Sequence, residues 1–191
     1  MGEELPLVGA ASSGDALEVK RLLEAGASVT ARDHHGRTAL HWACQEGYYE
    51  VTEMLLRAGA NVNAPENEGF TPLLIAAGGG HTQLMELLIN NGADVNAHTC
   101  WKGTSLQITC AWGRIEAARV LLAAGAEIDA RDSEGYSALL LAVMYGHADV
   151  ARELIAHGAD TGVRDNEGST ALDWAVRQGD DDLVRILSGS I

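Results

Sequence analysis

The chain is 191 residues long, with a formal net charge of −14, 47% hydrophobic side chains and only nine aromatics (one Phe, four Trp, four Tyr). That apolar fraction excludes wholesale disorder, and an excess of Ala (30) over Leu (23) points to many thin helix contacts instead of one aromatic core. Thirteen Lys and Arg against 27 Asp and Glu repel phosphate backbones, so nucleic acid is not expected as a partner.

The start of the chain, Met1-Gly2-Glu3-Glu4, is acidic and lacks the basic and apolar regions of a signal peptide. The longest apolar stretch, Leu139 to Tyr145, is far short of the roughly 20 residues that span a bilayer, and no membrane association is expected. Cys44, Cys100 and Cys110 form no close pair and leave an odd thiol, which suits a reducing, cytoplasmic setting.

Leu40, Leu73, Leu106, Leu139 and Leu172 recur every 33 residues. So do Gly47, Gly80, Gly113, Gly146 and Gly179, and Gly59, Gly92, Gly125 and Gly158. Such phase-locking predicts a repeat architecture. Residues 1–32 carry Leu7, Gly14 and Gly26 in phase, with Pro6 at a first helical position, and read as an N-terminal cap. Four full repeats follow at 33–65, 66–98, 99–131 and 132–164, and 165–191 reads as a C-terminal cap. In each, a hydroxyl (Thr38, Thr71, Thr104, Ser137, Thr170) is placed to cap a short apolar helix. The first Gly stops that helix by taking positive φ. A second helix follows, with Met54-Leu55-Leu56, Leu87-Leu88-Ile89 or Val120-Leu121-Leu122 in matching phase, and ends at a Gly-Ala pair. An extended segment such as Asn61-Val62-Asn63-Ala64 then leads to a tip such as Asp33-His34-His35-Gly36. No helix pair buries its own faces, so stacking into a single domain supplies the core.

Thr38-Ala39-Leu40-His41 and Thr71-Pro72-Leu73-Leu74 match a T-P-L-H signature, Gly80-His81 and Gly146-His147 a G-H, and Gly92-Ala93-Asp94-Val95-Asn96-Ala97 a G-A-D-V-N-A ending. In these motifs the whole chain resembles the ankyrin repeat. The resemblance implies an all-α solenoid of helix–turn–helix pairs with β-hairpin tips. It implies a non-catalytic protein-binding module that carries no cofactor and docks partners on its tips and concave first-helix surface. It also implies that Asn63 and Asn96 have counterparts that are hydroxylated in animal relatives.

Placing the unusual residues in the 33-residue frame separates folding from recognition. Trp42 and Trp174 share a phase with Ile75, Ile108 and Leu141, which predicts a core position. Phe70, Trp101 and Tyr136 fall on tips, and Trp112 and Tyr145 immediately precede the Gly that ends the first helix. These five aromatics are the predicted contact surface, since Trp and Tyr dominate interface energetics. Gly79 shares the phase of Trp112, and its bare backbone is expected to leave a notch for a partner's side chain. Glu68, Glu134 and Glu167 share one tip position. Glu68 and Glu134 are taken as rim charges suited to a protein or peptide with basic and apolar side chains. Asp33, Asp132 and Asp165 are expected to bond their own turns.

The tip Thr99-Cys100-Trp101-Lys102-Gly103 displaces the usual Gly by one residue, so its turn is expected to differ. Cys100 is its exposed thiol. His34 and His35 are expected on opposite sides of a strand-like tip, with His41 structural, which argues against a metal site. The chain has no G-x-S-x-G, Walker loop or H-E-x-x-H, and Gly78-Gly79-Gly80 ends a helix, so no enzyme chemistry is expected. The expected protein is a monomeric interaction module. The alternative is a scaffold, spacer or regulatory segment of a larger multidomain protein.

Overall fold

The computed structural model describes residues 5–189; the acidic start read above as no signal peptide, and the last two residues of the C-terminal cap, lie outside them. The described residues form twelve helices in six consecutive pairs and no strand. Contacts divide the chain into two compact units, Met1–Thr99 and Cys100–Ile191. The first holds α1 (Pro6–Ser13), α2 (Ala16–Glu24), α3 (Ala39–Glu46), α4 (Tyr49–Arg57), α5 (Pro72–Gly79) and α6 (Thr82–Asn90). The second holds α7 (Ser105–Ala111), α8 (Ile115–Ala123), α9 (Ala138–Met144), α10 (Ala148–Ala156), α11 (Ala171–Gln178) and α12 (Asp181–Leu187). In each unit the first helices of the pairs pack on one another in chain order, and the second helices form a parallel layer behind them. Between the layers lie the Leu residues of the repeat, Leu40, Leu55, Leu73 and Leu88 in one unit and Leu106, Leu121, Leu139 and Leu154 in the other, all at most 1% exposed.

The helix ends follow the sequence logic. Thr71, Thr104, Ser137 and Thr170 accept a hydrogen bond from the backbone N–H three residues on, and Pro6 and Pro72 open their helices without needing a donor. The Gly between the helices has a second duty. A Cβ on Gly14, Gly47 or Gly113 would lie 2.7–2.8 Å from the ring of Tyr48, His81 or His147 in the next pair. His81 Nε2 lies 3.2 Å from the Gln45 carbonyl and His147 Nε2 3.1 Å from that of Ala111, so each imidazole ties its pair to the one before. Gly79 belongs to the same arrangement. The His81 ring fills the space a side chain would take there, so the notch expected at Gly79 is occupied from within.

Among the described residues the tips are tight turns without a β-ladder; isolated bridge residues occur at His98 and Thr104, and Arg164 bridges Thr170. Each regular tip closes through a bond from its first backbone N–H to its fifth carbonyl, as in Asp33 to Arg37 (2.9 Å) and Asp132 to Tyr136 (3.1 Å). The first-position carboxylate accepts from the third and fifth N–H groups, in Asp33, Asp132 and Asp165 and also in Glu66. In a turn, neighbouring side chains need not alternate, and the His34 and His35 rings lie side by side with centroids 3.9 Å apart, contrary to the strand-based expectation.

Trp42 and Trp174 are only half-buried, which corrects their assignment to the core. Their Nε1–H groups donate to the second carboxylate oxygen of Asp33 (2.9 Å) and Asp165 (2.8 Å). Arg37 and Arg177 lie over the rings at 5.1 and 5.5 Å. A polar ring edge at this phase is useful because it fastens the tip to the helix. Burial opposes ionisation of Asp33 and Asp165, but the hydrogen bonds they accept outweigh it and hold both carboxyls below their usual range.

The third helical position shows three solutions to one problem. His41, fully buried, accepts from Thr38 N–H at Nδ1 (3.0 Å) and lies 2.9 Å from the Ala64 carbonyl through Nε2. Gln107 does the same with an amide, accepting from Thr104 N–H (2.8 Å) and donating to the Ala130 and Tyr136 carbonyls (3.1 and 2.6 Å). Asp173, in the last pair, needs only the acceptor half and takes both Thr170 donors. Burial holds the His41 imidazole below its ordinary pKa of 6.5. The unfolded chain therefore binds a proton that the folded chain refuses. Stability is full above about pH 6.5 and falls as pH drops below it. Wild type should melt at a lower temperature near pH 5 than near pH 7.5, and His41→Gln should flatten that dependence; equal slopes in thermal melts followed by circular dichroism would contradict the assignment. Ser105 supplies a second prediction. Its hydroxyl is buried without a partner where Ala39, Ala138 and Ala171 stand in other repeats. Ser105→Ala should stabilise by about 1 kcal/mol, raising Tm by about 2–4 °C, and an unchanged or lower Tm would count against it.

Candidate protein-interaction surface

In the second unit, helices α7, α9 and α11 present a continuous row outward. Ile108 and Trp112 lie four residues apart on the α7 segment, as do Leu141 and Tyr145 on α9, and each couple therefore shares a helix face. Ile108, Leu141 and Trp174 are half-buried, whereas Trp112 is 66% and Tyr145 58% exposed. The two large rings are the C-cap residues of their helices, where the chain leaves the helix and the side chain has no neighbour to cover it. In the first unit the same place holds Glu46 and Gly79, so the aromatic row is particular to the second unit.

The tips stand at the opposite ends of these helices, about 10 Å away for a seven-residue helix. Trp101 is 52% exposed and its carbonyl accepts from Ser133 N–H (2.9 Å). Asn166 N–H donates in turn to the Glu134 carbonyl (3.1 Å), and Asn166 Nδ2 to the Ser133 carbonyl (2.9 Å). The three tips of this unit therefore form one hydrogen-bonded row. Tyr136 is half-buried within it, and its phenol is pushed above its ordinary pKa, first by burial and then by Asp165, Glu167, Glu134 and Asp132. Four carboxylates thus act on one ring, and Glu134 and Glu167 are themselves exposed.

Of the predicted contact residues, Trp101, Trp112, Tyr136, Tyr145 and Glu134 belong to the second unit. Phe70, half-buried, and Glu68, exposed, sit on a tip of the first. Sequence reasoning missed Ile108, Leu141 and Trp174 as surface, because their phase looked like core. The half-burial of all five residues at that phase follows from a position at the edge of the helix contact, which an apolar pattern alone does not separate from its centre. It also missed Tyr49, 45% exposed on α4, where other repeats carry unrelated residues.

Cys100 is exposed, whereas burial pushes the Cys110 thiol up to about 12 and raises that of Cys44 further. The departure at Thr109 is absorbed locally, since its hydroxyl donates to the Leu106 carbonyl (2.8 Å). Asn63 is engaged in structure: its Nδ2 donates to Gly92 O (2.9 Å) and its Oδ1 accepts from Asp94 N–H (2.8 Å). Among the described residues no group of three His, Cys, Asp or Glu side chains is arranged to hold a metal ion, and no helix is long and apolar enough to cross a membrane.

Comparison with curated proteins gives no match. The family model for ankyrin repeats (3 copies) matches residues 2–66, 59–132 and 125–190. With this coverage, and with helix pairs recurring in the 33-residue register, the chain belongs to the ankyrin-repeat family.

Proposed function

We propose that this protein is a non-catalytic interaction module that binds a partner protein or peptide through the first-helix face and tips of its second unit. Ankyrin repeats are in general protein–protein interaction modules. The observation that supports this location is the gathering of Trp101, Trp112 and Tyr145, three of the chain's exposed large rings, on that unit. Rings of this size gain much when a partner removes them from water. Ile108 and Leu141 extend the apolar strip between them, and Phe70 with Glu68 offers the same chemistry on the first unit. The carboxylates around Tyr136 favour a partner in which Lys or Arg flanks apolar side chains, with attraction that weakens as salt rises. A reducing cytoplasmic setting and a monomeric state complete the proposal.

Trp101→Ala with Trp112→Ala should abolish capture of the partner in pull-downs from the source organism. Both rings are exposed, so Tm should move by no more than about 2 °C. Undiminished capture would remove the surface from consideration, and a large fall in Tm would assign the rings to packing instead.

A further inference from the structure

Lys102 has φ +62° and is the one non-glycine residue with positive φ among the described residues. The corresponding residues of the other tips are Gly36, Gly69, Gly135 and Gly168, with φ between 78° and 88°. The left-handed position of the turn therefore stays in register although the Gly is displaced to 103, and it carries a lysine. A Cβ is strained in this conformation. Inside the chain the lysine side chain offsets none of that strain, because its ammonium is exposed and has no hydrogen bond or ion pair with any described residue.

The neighbouring tip is adjusted to admit it. A Cβ on Gly36 or Gly135 would run into Asn67 or Asn166 of the following tip, but the tip that follows Lys102 carries Ser133 at that place. Other braces are replaced as well. Arg32, Arg131 and Arg164 donate to the Gly carbonyl of their own tips, and His98 stands where this tip would have its Arg. Local strain without internal return is found at functional positions.

Charge gives the strain a meaning. Along the hydrogen-bonded row of tips, the first carries Lys102 and no acid, the second Asp132 and Glu134 with Arg131 beside them, the third Asp165 and Glu167 with Arg164, so that the second and third stay net negative. The row reads positive, negative, negative. We infer that Lys102 is a specificity-determining residue that takes an Asp or Glu of the partner beside Trp101, while Glu134 and Glu167 take its basic side chains, so that the bound segment lies in one direction only. Reversal would set like charges against each other at both ends. This inference rests on the surface proposed above.

The test uses the whole chain as bait and a phage-displayed library of random 12-residue peptides as probe. Peptides enriched on wild type should carry an acidic residue on one side of an apolar residue and Lys or Arg on the other. The strongest, made synthetically, should lose about tenfold or more in affinity on Lys102→Gly and stay within about threefold on Lys102→Arg. Lys102→Gly should also melt about 2–4 °C higher through relief of strain, so unfolding cannot account for the loss. Peptides without acidic residues, or equal affinity for Lys102→Gly, would overturn the inference while leaving the surface standing, provided Trp101→Ala with Trp112→Ala still abolishes binding. Enrichment of no peptide, or binding that survives the double substitution, would overturn both.

Discussion

Each helix pair of this chain leaves an apolar side open, and the 33-residue register lets the next pair close it. Ala11 and Cys44 in one unit, and Cys110 and Val143 in the other, occupy one phase and are fully buried. Val176 holds that phase in the last pair and is 60% exposed. Same phase, opposite burial: the neighbour makes the difference, not the residue. Hydrophobic burial here belongs to the junctions between pairs, and the small Ala and Gly side chains follow from helices that must approach closely.

That constraint explains which residues are free to vary. Gly14, Gly47 and Gly113 are held twice, by positive φ and by the ring laid over each from the next pair, whereas Gly146 and Gly179 are held by positive φ alone. The third helical position is filled in two ways: His41 and Gln107 accept at the cap and bind a carbonyl across the loop and Asp173 accepts alone, whereas Leu74 and Leu140 are simply buried there. A residue at the helix C-cap or the third tip position meets no such demand. Trp112, Tyr145 and Trp101 stand at those places with more than half of their surface exposed, and exposed apolar area of that size is what the proposed recognition would use.

The fold was legible in the sequence because the repeat multiplies every signal: caps, stop glycines and Leu phases agree five times over. The burial of the proposed contact residues was legible only in part. Exposure of Trp101, Trp112 and Tyr145 followed from their phases, but half-burial of Phe70 and Tyr136 did not, since a tip ring can fold back on its neighbour. Trp42 and Trp174 looked like core because periodicity reports apolarity, not the polar edge of an indole that reaches a tip carboxylate. The Gly79 notch failed for another reason: the His81 ring that fills it comes from two residues on in the same helix pair, and a ring's direction is not written in the repeat phase. Lys102 was visible as a displaced glycine, yet only backbone geometry shows that the left-handed position stayed in register and left the lysine strained.

The central claim is that recognition is carried by the tips and first-helix ends of the second unit. Hydrogen–deuterium exchange of the full chain, with and without its captured partner, tests this most directly. The account predicts new protection at residues 100–104, 111–113, 133–137 and 144–146. Protection confined to the second helices, with these segments exchanging as in the free protein, would contradict it.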